Sequence, residues 1–181
     1  MVDAKYEIEN IVLSVTYEDT EFDLERLADI LEAARYDPEV FPGIAYKSVD
    51  PTASFLIFAS GKMNCVGARS LDDAENAIEK LTEELRKSRV EIEKEPEVKV
   101  QNMVASFDFE REFDLERIAR NFRNTEYEPE VFPGLVFRLD EPKVVILLFV
   151  SGKGVCAGAK REEDVRKAGT RLTEIIEQQL P

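Results

Sequence analysis

The side chains that carry out most enzyme chemistry are missing from this chain or stand alone. Its 181 residues include no histidine, which removes His-based zinc sites, Ser–His nucleophiles and imidazole general bases. The two cysteines, Cys65 and Cys156, are 91 positions apart (156 minus 65) and belong to no CxxC pair. As equivalents in a repeat they would lie apart in the fold, so the expectation is two small buried hydrophobes and no mutual disulfide. Ser60-Gly61-Lys62 lacks the GxxxxGK[ST] spacing of a phosphate loop. With no carboxylate pair, thiol–base pair or metal cluster in sight, neither an enzyme nor a cofactor nor a metal is expected.

Four phenylalanines at matched spacing stand out instead. Phe41 lies in Asp37-Pro-Glu-Val-Phe-Pro-Gly43 and Phe132 in Glu128-Pro-Glu-Val-Phe-Pro-Gly134, 91 positions on (132 minus 41). Phe58 closes the run Ser54-Phe-Leu-Ile-Phe58 and Phe149 closes Val145-Ile-Leu-Leu-Phe149, again 91 on (149 minus 58). A lone Phe in an apolar strand is ordinarily core. Two symmetric pairs, with one member of each between prolines, make core burial the weaker reading. Cations recur at the same spacing: Lys47 with Arg138, and Lys62 with Lys153. Asn10 and Asn102 open a strand pattern in each half.

The elements that must hold these residues form an internal repeat. Residues 7–17 alternate, with Ile11, Leu13 and Val15 on one side and Asn10, Val12 and Ser14 on the other, which is a strand. Asp23 caps a helix whose stripe is Leu24, Leu27, Ala28, Leu31 and Ala34. The Pro-Glu-Val-Phe-Pro-Gly loop ends that unit, because neither proline fits regular structure. Strands follow at 44–49, 53–60 and 62–69, separated by the turn signals Asp50-Pro51 and Ser60-Gly61. Ser70 caps a longer helix along Leu71, Ala74, Ala77, Ile78, Leu81 and Leu85, and the polar stretch Lys87–Glu97 joins the halves. The order then repeats, with Asp114 capping a helix and a last helix from about Arg161 to Gln179. Two α+β units, 1–90 and 91–181, are thus expected about a pseudo-twofold axis.

The apolar strands decide what the sheet is for. Leu56 and Phe58 face one way and Phe55 and Ile57 the other; Val145, Leu147 and Phe149 oppose Ile146 and Leu148. An antiparallel strand packed on one side keeps a polar second face. Here both faces are apolar, while each half has only two helices, enough to cover one. The second face is open to another protein chain, an apolar ligand or nucleic acid. The formal charge of −14 argues against nucleic acid on average. The acids, however, cluster in helix and linker segments, whereas the strands carry Lys47, Lys62, Arg138 and Lys153. A minor groove at A·T pairs shows only acceptors, which aliphatic side chains and Asn donors can meet. The rival reading is a non-DNA α+β protein that uses this face for dimerisation or an apolar ligand.

At this point the chain strongly resembles the TATA-box-binding protein family in its archaeal form. The likeness spans residues 7–178 and includes both Pro-Glu-Val-Phe-Pro-Gly loops, both Ser-Gly-Lys turns and both Cys-x-Gly-Ala strands. It implies a saddle: a ten-stranded antiparallel sheet with four helices on the convex face and minor-groove DNA on the concave one. It implies a general transcription initiation factor that bends TATA-box DNA and recruits transcription factor B and RNA polymerase. Phe41 with Phe58 and Phe132 with Phe149 would be the intercalating pairs. Asn10, Val12, Leu56, Asn64 and Val66 would line the groove in one half, and Asn102, Val104, Leu147, Val155 and Ala157 in the other. Lys47, Lys62, Arg138 and Lys153 would reach phosphates.

Some positions depart from the family pattern. Many relatives carry Thr where this chain has Val66 and Ala157, Asn64 replaces an apolar groove residue, and Val40 stands where a basic residue is common. The preference among A·T-rich elements therefore stays open. The loops that hold the wedges are acidic and suit a basic protein partner. The resemblance puts transcription factor B on Glu128, Glu130 and Val131. A homodimer when free, no membrane association, and a cytoplasmic, nucleoid-associated location in an archaeal cell complete the expectations.

Overall fold

The computed structural model describes residues 4–180; the outer limits of the two expected repeats, residues 1 and 181, lie outside them. The chain divides into two compact units. One comprises 10–101, and the other comprises 102–180 together with residues 4–9.

In the unit 10–101 the strands are β1 (Lys5–Thr16, of which residues 10–16 belong here), β2 (Gly43–Val49), β3 (Thr52–Phe58) and β4 (Lys62–Ala68), hydrogen-bonded in the order β2-β3-β4-β1. All pairs are antiparallel, with Ala45 opposite Leu56, Leu56 opposite Asn64 and Ser14 opposite Asn64. Helix α1 (Leu24–Ile30) begins where Asp23 Oδ1 accepts the Arg26 N–H at 3.1 Å. Helix α2 (Leu71–Lys87) begins where Ser70 Oγ accepts the Asp73 N–H. Both caps are those the sequence predicts, since a short side-chain oxygen satisfies an orphan N–H of the first turn. Helix α1 is shorter than its apolar stripe: Leu31 is its C-cap and Ala34 lies beyond it.

The other unit repeats this plan. It holds β5 (Glu97–Asp108, of which residues 102–108 belong here), α3 (Leu115–Asn121), β6 (Thr125–Glu126), β7 (Leu135–Asp140), β8 (Lys143–Leu148), β9 (Lys153–Ala159) and α4 (Glu162–Gln179), with strand order β5-β9-β8-β7-β6. Asp114 caps α3 through the Arg117 N–H at 2.9 Å. Residues of β1 before Asn10 belong to this unit, where Lys5 pairs with Glu110 and Ser106 Oγ donates to Glu9 at 2.8 Å.

Among the described residues there are nine strands, not the ten expected. The missing one is the first-half counterpart of β6. In the second half Thr125 and Glu126 pair with Phe137 and Val136, whereas in the first only the isolated bridge Arg35–Ala45 forms. One bridge cannot propagate a ladder, so the segment stays irregular.

In each half the strands bury one face under the helices. Ile11, Leu13, Val15, Phe55 and Ile57 are buried, as are Met103, Ala105, Phe107, Ile146 and Leu148. Cys65 and Cys156 lie in these cores as free thiols. Desolvation pushes Cys65 up to about 11 and Cys156 up to about 12, so both stay protonated and unreactive. Among the described residues no helix is long and apolar enough to cross a membrane.

Candidate functional site

In each half the opposite face of the strands remains accessible. In the first half Asn10, Val12, Leu56, Phe58 and Val66 are half-buried and Asn64 is exposed. In the second Asn102, Val104, Val145, Leu147, Phe149, Val155 and Ala157 are half-buried. Strand alternation places every predicted groove residue here, one position out of phase with the core.

The phenylalanines form the pairs their spacing predicts. Phe41 and Phe58 meet edge to face with centroids 5.8 Å apart and planes at 64°. Phe132 and Phe149 do the same at 5.9 Å and 68°. The loops present one ring of each pair through the same backbone turn: Phe41 N–H donates to the Asp37 carbonyl and Phe132 N–H to the Glu128 carbonyl, both at 2.9 Å. Gly43 and Gly134 make the pairing sterically feasible. A Cβ at 43 would lie 2.9 Å from the Phe41 ring and 3.1 Å from Phe58; one at 134 would lie 2.6 Å from Phe132 and 3.0 Å from Phe149. Such T-shaped contact adds about 0.5–1.5 kcal/mol beyond area burial. It also holds Phe41 and Phe132 in place although they remain 37% and 40% exposed.

The polar groups are arranged in the same duplicate fashion. Asn10 Oδ1 accepts the Gly67 N–H, and Asn102 Oδ1 the Gly158 N–H, each at 2.7 Å. The four cations are all exposed, yet the halves differ in how those cations are held. Arg138 pairs with Glu126 at 3.1 Å, and Lys153 pairs with Asp108. The Lys153 ammonium, hydrogen-bonded to Asp108, holds that carboxyl below the usual range. Lys47 and Lys62 have no ion-pair partner among the described residues.

The loops themselves are acidic and prominent. Asp37, Glu39, Glu126, Glu128 and Glu130 are exposed, and the valines at the tips, Val40 and Val131, are 81% and 80% exposed. Among the described residues no group of His, Cys, Asp and Glu could hold a metal ion.

Sequence reasoning missed three sets of residues. Gly67 and Gly158 were within reach, since a glycine inside a strand pattern signals a bulge and both occur in the repeated Cys-x-Gly-Ala. Gly43 and Gly134 were visible only as turn residues. Asp108 gave no signal and Glu126 read only as one of the acidic loop residues, because nothing in their spacing reveals that they meet Lys153 and Arg138.

Comparison with known proteins places this geometry. The family model described as "Transcription factor TFIID (or TATA-binding protein, TBP)" matches residues 5–88 and again 97–179. The TATA-box-binding protein of Methanocaldococcus jannaschii is 46% identical over 178 residues, covering 98% of this chain and 97% of the relative. That of Methanothermobacter thermautotrophicus is 47% identical over 179 residues, covering 97% and 98%. The solved structure titled "Methanococcus jannaschii TBP" superposes with a TM-score of 0.87 at 47% identity, covering 96% of this chain and 99% of that one. The chain belongs to the TATA-box-binding protein family, a family of transcription factors and not of enzymes.

Proposed function

We propose that this protein is a general transcription initiation factor that binds the minor groove of A·T-rich TATA-box DNA through the accessible face of its sheet. The supporting observation is the duplicated ring pair: one edge-to-face Phe pair beside the aliphatic strand face of each half, in a chain of this family. Phe41 with Phe58, and Phe132 with Phe149, enter base steps and kink the duplex. Unstacking a step costs a few kcal/mol, and burying a Phe side chain returns about 1.5–3 kcal/mol. Val12, Leu56, Asn64, Val66, Val104, Leu147, Val155 and Ala157 lie against the groove floor, where A·T pairs present no amino group. Asn10 and Asn102 donate to acceptors there. Lys47, Lys62, Arg138 and Lys153 reach phosphates, which adds affinity and salt dependence without sequence choice.

The repeats 1–90 and 91–181 act together on one DNA site within the cell interior. The acidic loop of the second half, through Glu128, Glu130 and Val131, docks a basic surface of transcription factor B, which in turn brings RNA polymerase. The same sheet face supports a homodimer in the absence of DNA.

A gel shift with an A·T-rich promoter fragment against a scrambled one, at two salt concentrations, tests the DNA reading. Selective binding that weakens with salt is expected, and equal binding to both fragments sinks it. Glu128→Lys with Glu130→Lys should abolish the ternary complex with transcription factor B and leave TATA binding intact. Joint loss of both would refute this division of labour.

A further inference from the structure

An Asn side chain has a donor end and an acceptor end, and which end faces the DNA decides what it can read. In the minor groove A·T and T·A offer only the A N3 and T O2 acceptors, whereas G·C adds the guanine amino donor. An Asn free to turn over satisfies either. One locked with its nitrogen outward pairs with A·T and opposes the guanine amino group, donor against donor.

The structure contains the lock. In β4 one extra residue faces β1: Ile11 is opposite Ala68, but Leu13 is opposite Cys65. β9 does the same against β5, with Met103 opposite Ala159 and Ala105 opposite Cys156. Such a bulge leaves an N–H outside the ladder. Here the N–H groups of Gly67 and Gly158 turn to Asn10 Oδ1 and Asn102 Oδ1. Of the two ends of an Asn amide only the oxygen can accept from an N–H, so the amide orientation follows from chemistry alone. Flipping either amide would set NH2 against N–H and break the bond. Neither amide nitrogen has a partner among the described residues. Val66 and Ala157, the preceding residues, have no polar side-chain atom to offer instead.

The backbone explains why glycine occupies both positions. Their φ values are +90° and +97°, a conformation L side chains rarely adopt. Crowding is not the reason: a Cβ at 67 would meet nothing within 4 Å, and one at 158 nothing nearer than 3.8 Å.

We infer that Gly67 and Gly158 are positioning residues for base selection, whose bulge N–H groups hold Asn10 and Asn102 as donor-only readers that accept A·T and reject G·C. This rests on the minor-groove reading above. It assigns part of the A·T preference to two backbone N–H groups that never touch DNA.

The test replaces the Gly67 and Gly158 peptide N–H by ester oxygen through semisynthesis. Binding is measured on A·T-rich duplexes in which each pair in turn is A·T, inosine·C or G·C. Inosine·C lacks the amino group and so matches A·T in the minor groove. The parent should bind the A·T and inosine·C duplexes within about threefold of each other. At the pairs the Asn side chains read, its G·C penalty should be about tenfold or more. In the double ester that penalty should fall to about threefold or less, with some loss on A·T. A folded double ester that keeps the full G·C penalty overturns the inference, since selectivity would then lie in groove shape. A second measurement does not depend on the ester folding: scalar coupling across the hydrogen bond from the Gly67 N–H to Asn10 Cγ in the free parent. Its absence also overturns the inference. If the parent shows no preference for A·T-rich over scrambled DNA, the functional reading fails first and this one falls with it.

Discussion

The two halves agree closely where rings meet and diverge at the sheet edge and in their charges. The wedge pairs differ by 0.1 Å in centroid distance, 5.8 against 5.9 Å, and by only a few degrees in tilt. The equivalent aromatics of β2 and β7, Tyr46 and Phe137 (137 minus 46 is again 91), do not match. Phe137 is fully buried against Phe122, with β6 paired alongside it. Tyr46, stacked on Phe55 at 6.1 Å, has only the single Arg35–Ala45 bridge beside it and stays half-exposed. Of the four strand cations, Arg138 and Lys153 are held by carboxylates, whereas Lys47 and Lys62 have no ion-pair partner among the described residues. Local geometry set by a repeated segment survives duplication, while features that depend on one neighbour, such as a short edge strand or an opposing carboxylate, drift.

The strongest test of this contrast is stability. Phe137→Ala should cost about 3–5 kcal/mol and Tyr46→Ala about half as much, since the cavity term needs full burial. Urea titration measures both, and equal losses would show that β6 does not matter to the core. Next is the agreement between wedges. Phe58→Ala and Phe149→Ala should each lose about 2 kcal/mol of DNA affinity, roughly thirtyfold, and reduce bending as read by end-to-end energy transfer. If Phe149→Ala binds and bends DNA like the parent, the wedge assignment is wrong.

A smaller effect separates the cations. Lys47→Ala should reduce the log–log salt slope of binding by about 0.9. Arg138→Ala should reduce it by clearly less, because Glu126 already offsets that charge in the free protein. Equal slopes would make the ion pair irrelevant to binding. The smallest effect concerns the thiols and should be shared by both halves. Their folded-state values, about 11 and about 12, lie above the ordinary 9.0. The native state therefore holds these protons longer than the unfolded chain. Their contribution is fully present below pH 9.0 and is lost as pH rises through the folded values. A denaturation series above pH 9.0 should show that decline, and alkylation at pH 8 should label neither thiol until the chain unfolds.

Much of this architecture could be read from residue order. Asp23, Ser70 and Asp114 mark helix starts because a capping oxygen acts within three residues of itself. The alternation through Ile11, Leu13 and Val15 gives the buried face because a strand repeats every two residues. Phe41 and Phe58 could be paired only through their second copies, Phe132 and Phe149, since one aromatic in one strand looks like core. The strand count went wrong where the signal was weakest: Ala34-Arg35 and Thr125-Glu126 are both short polar-to-neutral stretches, and only the pairing separates them. The ion pairs of Asp108 and Glu126 were invisible for a related reason, as each meets its cation across 45 and 12 positions of chain.

The amino-acid order alone settled the duplication, the helix boundaries at their N-termini, the face each strand buries and which four phenylalanines recur at matched spacing. These depend on interactions between near neighbours or on exact recurrence. Tertiary structure alone decided that the rings meet edge to face over Gly43 and Gly134, that the Asn amides are held oxygen-inward by bulge glycines, and that one half's cations are already paired. Each of those depends on distances between segments remote in sequence, which periodicity cannot encode.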